Sequence, residues 1–227
     1  MALRPIFSPI DKSPFVKEEL IDFTWHKGRE LSKKQESIRS LHSEAKLKCF
    51  FKNTLEISTK SDSSLGIKLS AFNLGIKLKS GMVVSLENVF QAAKIFEFGG
   101  PFKDILYLTP SEAKADKRLK SSGKLIGFIS KEKIWPLEPK TVFYDWLYLN
   151  AIRLNPGLGD EIMMYDSFTD IEFNPNKSFN CQAKSAALYV SLRKNKLLDA
   201  YLSNSDFFFS KMNIIEGDKR EIQLGLF

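Results

Sequence analysis

Apolar residues recur along this chain at two spacings, one of two residues and one of three to four. From Glu19 to Trp25 the side chains of Ile21, Phe23 and Trp25 share one face, the alternation of a half-buried strand. Ahead of it, residues 1–14 are extended and punctuated by Pro5, Pro9 and Pro14. Ser32 with Gln35 three residues on resembles a capping box. The helix it opens carries Ile38, Leu41 and Ala45 on one side and many Lys and Glu on the other. His42 lies close to that apolar side and reads as a structural surface histidine rather than a ligand. Leu55–Ser58 reads as a short strand running into the polar turn Thr59-Lys60-Ser61-Asp62. Phe72, Leu74, Ile76 and Leu78 alternate, Ser80-Gly81 turns the chain, and Met82-Val83-Val84 pairs back as a hairpin.

That hairpin leads into the stretch on which the chain is organised, residues 85–96. As a helix capped by Ser85 it puts Glu87, Gln91 and Lys94 at i, i+4 and i+7, on one narrow face. Leu86, Val89, Phe90, Ala93 and Phe96 fill the adjoining arc. Glu87 falls in the first turn, where the helix dipole favours a carboxylate. By spacing alone the face reads more readily as a solvated charge stripe, since such stripes are common on helices. Phe98-Gly99-Gly100-Pro101 is expected to end the helix.

Beyond it, Thr109-Pro110-Ser111-Glu112 is a helix start: a cap, Pro at the first position and Glu at the third. A helix is expected from about Lys140 to Arg153, containing Phe143, Tyr144, Trp146 and Leu147, and broken by Asn155-Pro156-Gly157. Asp160 to Tyr165 reads as a short helix. Residues 168–173 read as extended, closed by Asn174-Pro175-Asn176, with Asp170 and Glu172 pointing the same way. Asn180 is the expected cap of a long helix from Cys181 to about Tyr201. These elements make a helix-rich α+β single domain with a small sheet. Residues 1–54 are read as an N-terminal elaboration, 55–203 as the core and 204–227 as a weakly patterned tail.

Composition adds an aromatic emphasis and a charge. The chain is 43% hydrophobic with 19 Phe, and its net charge of +7 and pI of about 9.2 suit an acidic partner such as a nucleic acid or phosphorylated ligand. From Lys114 to Lys133 there are seven Lys or Arg against two acids, Asp116 and Glu132. Such a run grips phosphates or simply solvates a face. Cys49, Cys181, His26 and His42 have no zinc-site spacing, so no metal is expected. Two isolated thiols and no signal-like or membrane-length apolar run point to the cytoplasm.

The wording of the organising stretch resembles the signature of the NADAR family: Glu87, then Phe90-Gln91-Ala92-Ala93-Lys94, with Phe96 one residue late and Asn88 where a His often stands. Other segments are similar to the family in order and spacing. Thr59-Lys60-Ser61-Asp62 with Leu69-Ser70-Ala71-Phe72 looks like its early segment, with Ala71 in place of an Asn and Asn73 after the Phe. Glu112-Ala113-Lys114 with Arg118 looks like its Ala-Lys-x-x-x-Arg helix. Thr169-Asp170-Ile171-Glu172 resembles its acidic strand, and Asn180 with Arg193 its final Asn and Arg. Phe143 stands where the family has a Trp, with Trp146 one turn later. Leu137-Glu138-Pro139-Lys140-Thr141, Phe143 to Tyr148 and Phe168 to Pro175 extend the likeness to a subgroup found beside DNA ADP-ribosyltransferase toxins.

The resemblance implies an antitoxin hydrolase that removes ADP-ribose from ADP-ribosylated guanine in DNA by cleaving an N-glycosidic bond. Its partners would be ADP-ribosylated DNA, ADP-ribose as product and the cognate toxin, with no cofactor. Such cleavage passes through a ribose oxocarbenium, which a carboxylate stabilises or meets with an activated water. Glu87 is the candidate. A lysine, Lys94 or Lys60, would hold a diphosphate or attack the anomeric carbon to form a Schiff base. Phe72, Phe90 and Trp146 are candidates to stack on a base; Gln91, Asn73, Arg118, Asp170, Glu172 and Asn180 are the other candidate substrate contacts. Two other functions stay open: a glycosidase acting on a free ribosyl metabolite, and a silent module binding ADP-ribose or the toxin.

Overall fold

Strands arrive in three separate small groups, and helices fill the space between them. The computed structural model describes residues 1–175 and 178–224, the side chains of 216–224 excepted. In chain order the first elements are β1 (Ala2–Pro9), β2 (Val16–Phe23), α1 (Leu31–Cys49), β3 (Thr54–Glu56), α2 (Ser64–Lys68), β4 (Gly75–Lys77) and β5 (Val83–Ser85). Next come α3 (Leu86–Ala92), β6 (Lys94–Phe96), a 3₁₀ turn at Lys103–Tyr107, α4 (Pro110–Ala115), α5 (Arg118–Ser121), β7 (Leu125–Ser130) and β8 (Lys133–Trp135). The chain closes with α6 (Val142–Arg153), α7 (Pro156–Glu161), a 3₁₀ turn at Ile162–Met164, β9 (Ser167–Thr169), α8 (Gln182–Lys194), α9 (Leu198–Tyr201) and α10 (Ser205–Leu224). The expected α+β class holds.

The largest sheet runs β2-β1-β9-β3, with β3 and β9 parallel and the other pairs antiparallel. The proline-punctuated start is a full strand, Ala2 opposite Phe23 and Pro9 opposite Val16. Its prolines are tolerated because β9 meets β1 only at Phe7 opposite Phe168, so neither Pro5 nor Pro9 has to donate to that second ladder. The alternation in β2 buries Ile21 and Phe23 against Ile38, Leu41 and Ala45 of α1. The capping box at Ser32 does not form. Glu30 is the cap residue and the Lys34 N–H already bonds the Glu30 carbonyl, so Ser32 and Gln35 lie inside the helix. Nor is His42 at the surface. Its Nε2 meets Thr169 Oγ1 at 2.8 Å, and burial pulls the imidazole down to about 4.

The hairpin is present as β4 and β5, Ile76 opposite Val84. The helix after it is shorter than its periodicity predicts. α3 ends at Ala92, and Lys94–Phe96 leaves as β6 to pair with β7, Lys94 opposite Phe128. Strand pairing of Ile95 and Phe96 overrides the helical pattern. The Gly99-Gly100 pair therefore turns a strand, not a helix. Gly100 sits at φ +87 against the Lys94 carbonyl, with no room for a Cβ.

Farther on, Asn155-Pro156-Gly157 both ends α6 and opens α7, with Pro156 in the first turn. The predicted extended run at 168–173 stops at Thr169. There the Asp170 Oδ1 accepts the N–H groups of Glu172 at 3.1 Å and Phe173 at 3.2 Å, closing a turn in place of further ladder. Asp170 and Glu172 thus diverge: the first is buried, the second exposed and ion-paired with Lys34 at 3.0 Å. Asn176 of the predicted closing turn lies outside the described residues. Cys181, not Asn180, holds the cap position of α8, and no side chain caps it. α8 stops at Lys194 because Lys196 takes a left-handed turn (φ 58) that returns the Leu197 N–H to the Leu192 carbonyl. The weakly patterned tail contains α10, whose Phe208, Met212 and Ile215 join the main core; residues 225–227 lie outside the described residues. That core is centred on α6 and α8, where Phe143, Tyr148, Leu149, Ala186 and Val190 are fully enclosed. No helix among the described residues is long and apolar enough to cross a membrane.

Candidate active site

The Ser85 cap sets the site. Its Oγ accepts the Asn88 N–H at 3.1 Å, as the sequence predicts, and fixes the first turn of α3. Asn88 is buried and its amide donates to the carbonyls of Ile105 (2.9 Å) and Leu108 (2.7 Å), tying the neighbouring 3₁₀ turn to the helix. From the other side, the Glu87 N–H donates to the Ala71 carbonyl at 2.9 Å, and the Ala71 N–H donates to Gln182 Oε1 at 2.7 Å. The Gln182 side chain also bonds Asp170. One backbone position, Ala71, thereby locks α3 to the start of α8 and to the turn after β9.

These elements enclose a cavity of about 590 Å³. Glu87 is on its wall, only 6% exposed, and its Oε1 accepts the Gln91 amide N–H at 2.8 Å. The Gln91 carbonyl oxygen is buried and has no hydrogen-bond partner among the described residues. A buried acceptor left open is costly without a ligand to fill it. Lys94 reaches the same cavity, although from β6. Its Nζ sits 5.1 Å from the Phe90 ring centre and makes no ion pair among the described residues. Burial pulls the Lys94 ammonium below the ordinary lysine range; Glu87 opposes that shift and Lys114 adds to it. A lysine so placed has more of its neutral, nucleophilic form.

Of the other predicted contacts, Lys60, Phe72, Phe90, Asp170, Glu172 and Asn180 also line this cavity. Phe90 shows it only part of a ring that otherwise packs against Phe128, Phe143 and Tyr144. Three candidates lie elsewhere. Asn73 faces an adjoining cavity, its amide bonded to the Ile67 carbonyl and Ser70 Oγ. Arg118 is held by Asp104 and Asp116. Trp146 packs between Trp135 and Phe208 in the core. The structure adds Lys114, Tyr144 and Gln182 to the lining. Lys114 was visible as part of the Ala-Lys-x-x-x-Arg element. Nothing local marks Gln182, whose role depends on where Ala71 lies.

The acids of the site differ sharply. Burial first, then the neighbouring Glu56 carboxyl, raises Asp170 to about 8; Gln182 and two backbone N–H groups resist. Glu56 is raised by burial too, though it accepts Thr169 Oγ1 (2.7 Å) and the Ile171 N–H (2.8 Å). Two buried carboxyls this close do not both ionise easily, so the pair holds a proton near neutral pH. Tyr144 is pushed well above the usual phenol range by burial, then by Tyr148, Glu87 and Asp170, and so presents a neutral hydroxyl. Among the described residues no group of three or more His, Cys, Asp or Glu side chains is placed to share a metal ion.

A family model described as the DarT1-associated NADAR antitoxin matches residues 2–222, nearly the whole chain. A search of curated proteins finds no match.

Proposed function

Because the chain belongs to the DarT1-associated NADAR antitoxin family, we propose that it is an N-glycosidase that removes ADP-ribose from ADP-ribosylated guanine in DNA. The observation that carries this reading is the cavity around Glu87. It combines the Glu87 carboxylate, an unfilled buried acceptor on Gln91 and three lysines, Lys60, Lys94 and Lys114, that make no ion pair among the described residues. A diphosphate-linked sugar offers what those groups lack: hydroxyl donors for the acceptor and negative charge for the lysines.

When the C1–N bond of the ribose breaks, its electron pair leaves on the guanine nitrogen and positive charge builds on the sugar. The Glu87 carboxylate is held to meet that charge, its orientation fixed by Gln91. The departing nitrogen needs a proton, and Asp170 is the wall carboxyl that keeps one near neutral pH. Water activated by Glu87 then completes hydrolysis, or Lys94 first captures C1 of the opened sugar as a Schiff base that water cleaves. A module that only blocked the toxin would have no use for this arrangement. Incubation with DNA carrying ADP-ribosylated guanine tests the proposal. Free ADP-ribose and restored guanine are expected; DNA that keeps its modification in the presence of folded protein overturns it.

A further inference from the structure

Beside the cavity of Glu87 lies a second one, of about 430 Å³, and the two share a wall, Phe72. The same two helices serve both. At the start of α3, Ser85 and Asn88 face the second cavity while Glu87 and Gln91 face the first; on α4, Pro110 faces the second and Lys114, one turn on along the same face, the first. The chemistry of the second compartment is different. Its polar side chains are engaged internally: Ser85 with Asn88, the Asn88 amide with two carbonyls, and the Asn73 amide with Ile67 and Ser70. What remains is mainly apolar or aromatic and open to solvent: Tyr107 is 72% exposed, Val83 64%, and Met82 and Leu108 37% each. A cluster of that kind marks a contact surface.

We propose that this second cavity seats the nucleobase next to the modified guanine in the same DNA strand, stacked on Tyr107 and Phe72. The inference rests on the DNA reading of the first cavity. Three observations favour a base over a protein side chain. The cavity adjoins the candidate active site across Phe72, so a strand leaving the first on that side passes over that ring. Lys114 stands at the partition, its Nζ 5.4 Å from the Phe72 ring centre and in no ion pair among the described residues. A phosphodiester joining two seated nucleosides would cross there. Finally, with the Ser85 hydroxyl and the Asn88 and Asn73 amides engaged internally, what the compartment offers a base is mainly ring and apolar surface, the sequence-tolerant stacking mode of single-strand binding proteins.

Two substrates separate this subsite from the chemistry: ADP-ribosylated guanosine alone, and the same lesion inside a single-stranded oligonucleotide. Tyr107→Ala should lower kcat/KM on the oligonucleotide by about tenfold, the size of a lost stacking contact, and leave the nucleoside unchanged. Tyr107→Phe should restore the oligonucleotide rate. Equal losses on both substrates, or none on either, would overturn the proposal. So would a Tyr107→Ala protein that repairs oligonucleotides normally but no longer binds the toxin, since that gives the face to a protein partner. A binding measurement covers the case in which neither substrate turns over. An oligonucleotide with 2-aminopurine beside the guanine should be quenched by the wild type and not by Tyr107→Ala. Quenching without turnover would sink the N-glycosidase reading and keep this one; turnover without quenching would do the reverse.

Discussion

Arg118 and Lys94 are both cations in segments that resemble the same family, and the fold treats them in opposite ways. Arg118 bonds Asp116 through Nε (3.0 Å) and Nη2 (2.8 Å) and Asp104 through both terminal nitrogens (3.2 and 2.6 Å), and its guanidinium lies 4.6 Å from the centre of the Phe102 ring. The hydrogen bonds hold the Arg118 charge in place and pull both aspartates below their usual range. Its donors are committed. Lys94 has no acid within ion-pair distance among the described residues, lies against Phe90, and is depressed by burial. A satisfied cation reports on architecture; a half-buried, unsatisfied one reports on something that has yet to arrive.

Substitutions should widen that contrast. Between the two cations the larger effect is expected at Lys94, where Lys94→Met should lower kcat by at least about a hundredfold, roughly 2.7 kcal/mol of barrier, with an unchanged circular dichroism spectrum. Borohydride added during turnover would tell how it acts: an adduct mapped to Lys94 supports the Schiff-base route, one on Lys60 transfers the role, and none leaves direct attack by water. Asp170 should follow. Its carboxyl is raised from 3.8 to about 8 in the fold, so its neutral form stabilises the protein fully below the unfolded value. That contribution is lost as pH rises through about 8. Thermal unfolding of Asp170→Asn, which carries no titrating group, should therefore gain on the wild type between pH 5 and pH 9. Parallel curves would remove the buried proton from the account. If Asp170 also protonates the leaving base, the variant should lose about a hundredfold in kcat.

The smallest effect belongs to Arg118. Arg118→Ala should leave kcat/KM within about threefold and cost no more than about 1 kcal/mol of stability, as exposed ion pairs usually do. The basic run around it is dispersed in the fold: Lys114 turns to the cavity, Arg118 to its aspartates, and Lys133 to Asp206 at 2.7 Å. Neutralising Lys117 and Lys120 should accordingly flatten the salt dependence of DNA binding only modestly. A hundredfold loss at Arg118 with no loss at Lys94 would invert the comparison.

What could be read from the residues follows the same division. Features made by near neighbours were legible: the Ser85 cap, the Thr109 and Glu112 capping box, the hairpin into α3, and the α6 helix. Glu87 and Gln91 were legible as a pair because one turn of helix joins them. Lys94 was placed by the wrong device. Its expected i+7 position dissolves with the end of α3, and the pairing of β6 with β7 brings it back to the same cavity. Arg118 and Trp146 lie away from this cavity, and part of what holds them there, Asp104 and Phe208, comes from elsewhere in the sequence. Gln182 was missed for the same reason, since its place in the site depends on a bond to the backbone of Ala71 across the fold.

One measurement bears most directly on the claim that the unsatisfied cavity does chemistry. Give the protein a large molar excess of DNA bearing ADP-ribosylated guanine, and count the ADP-ribose released per protein molecule, for the wild type and for Glu87→Gln. The amide keeps the shape and the contact to Gln91 but carries no charge. The wild type should release many equivalents, and Glu87→Gln, equally folded, should release at least a thousandfold less per unit time, about 4 kcal/mol of barrier. Release by Glu87→Gln within tenfold of the wild type would contradict the account and leave the cavity as a place that holds ADP-ribose without acting on it.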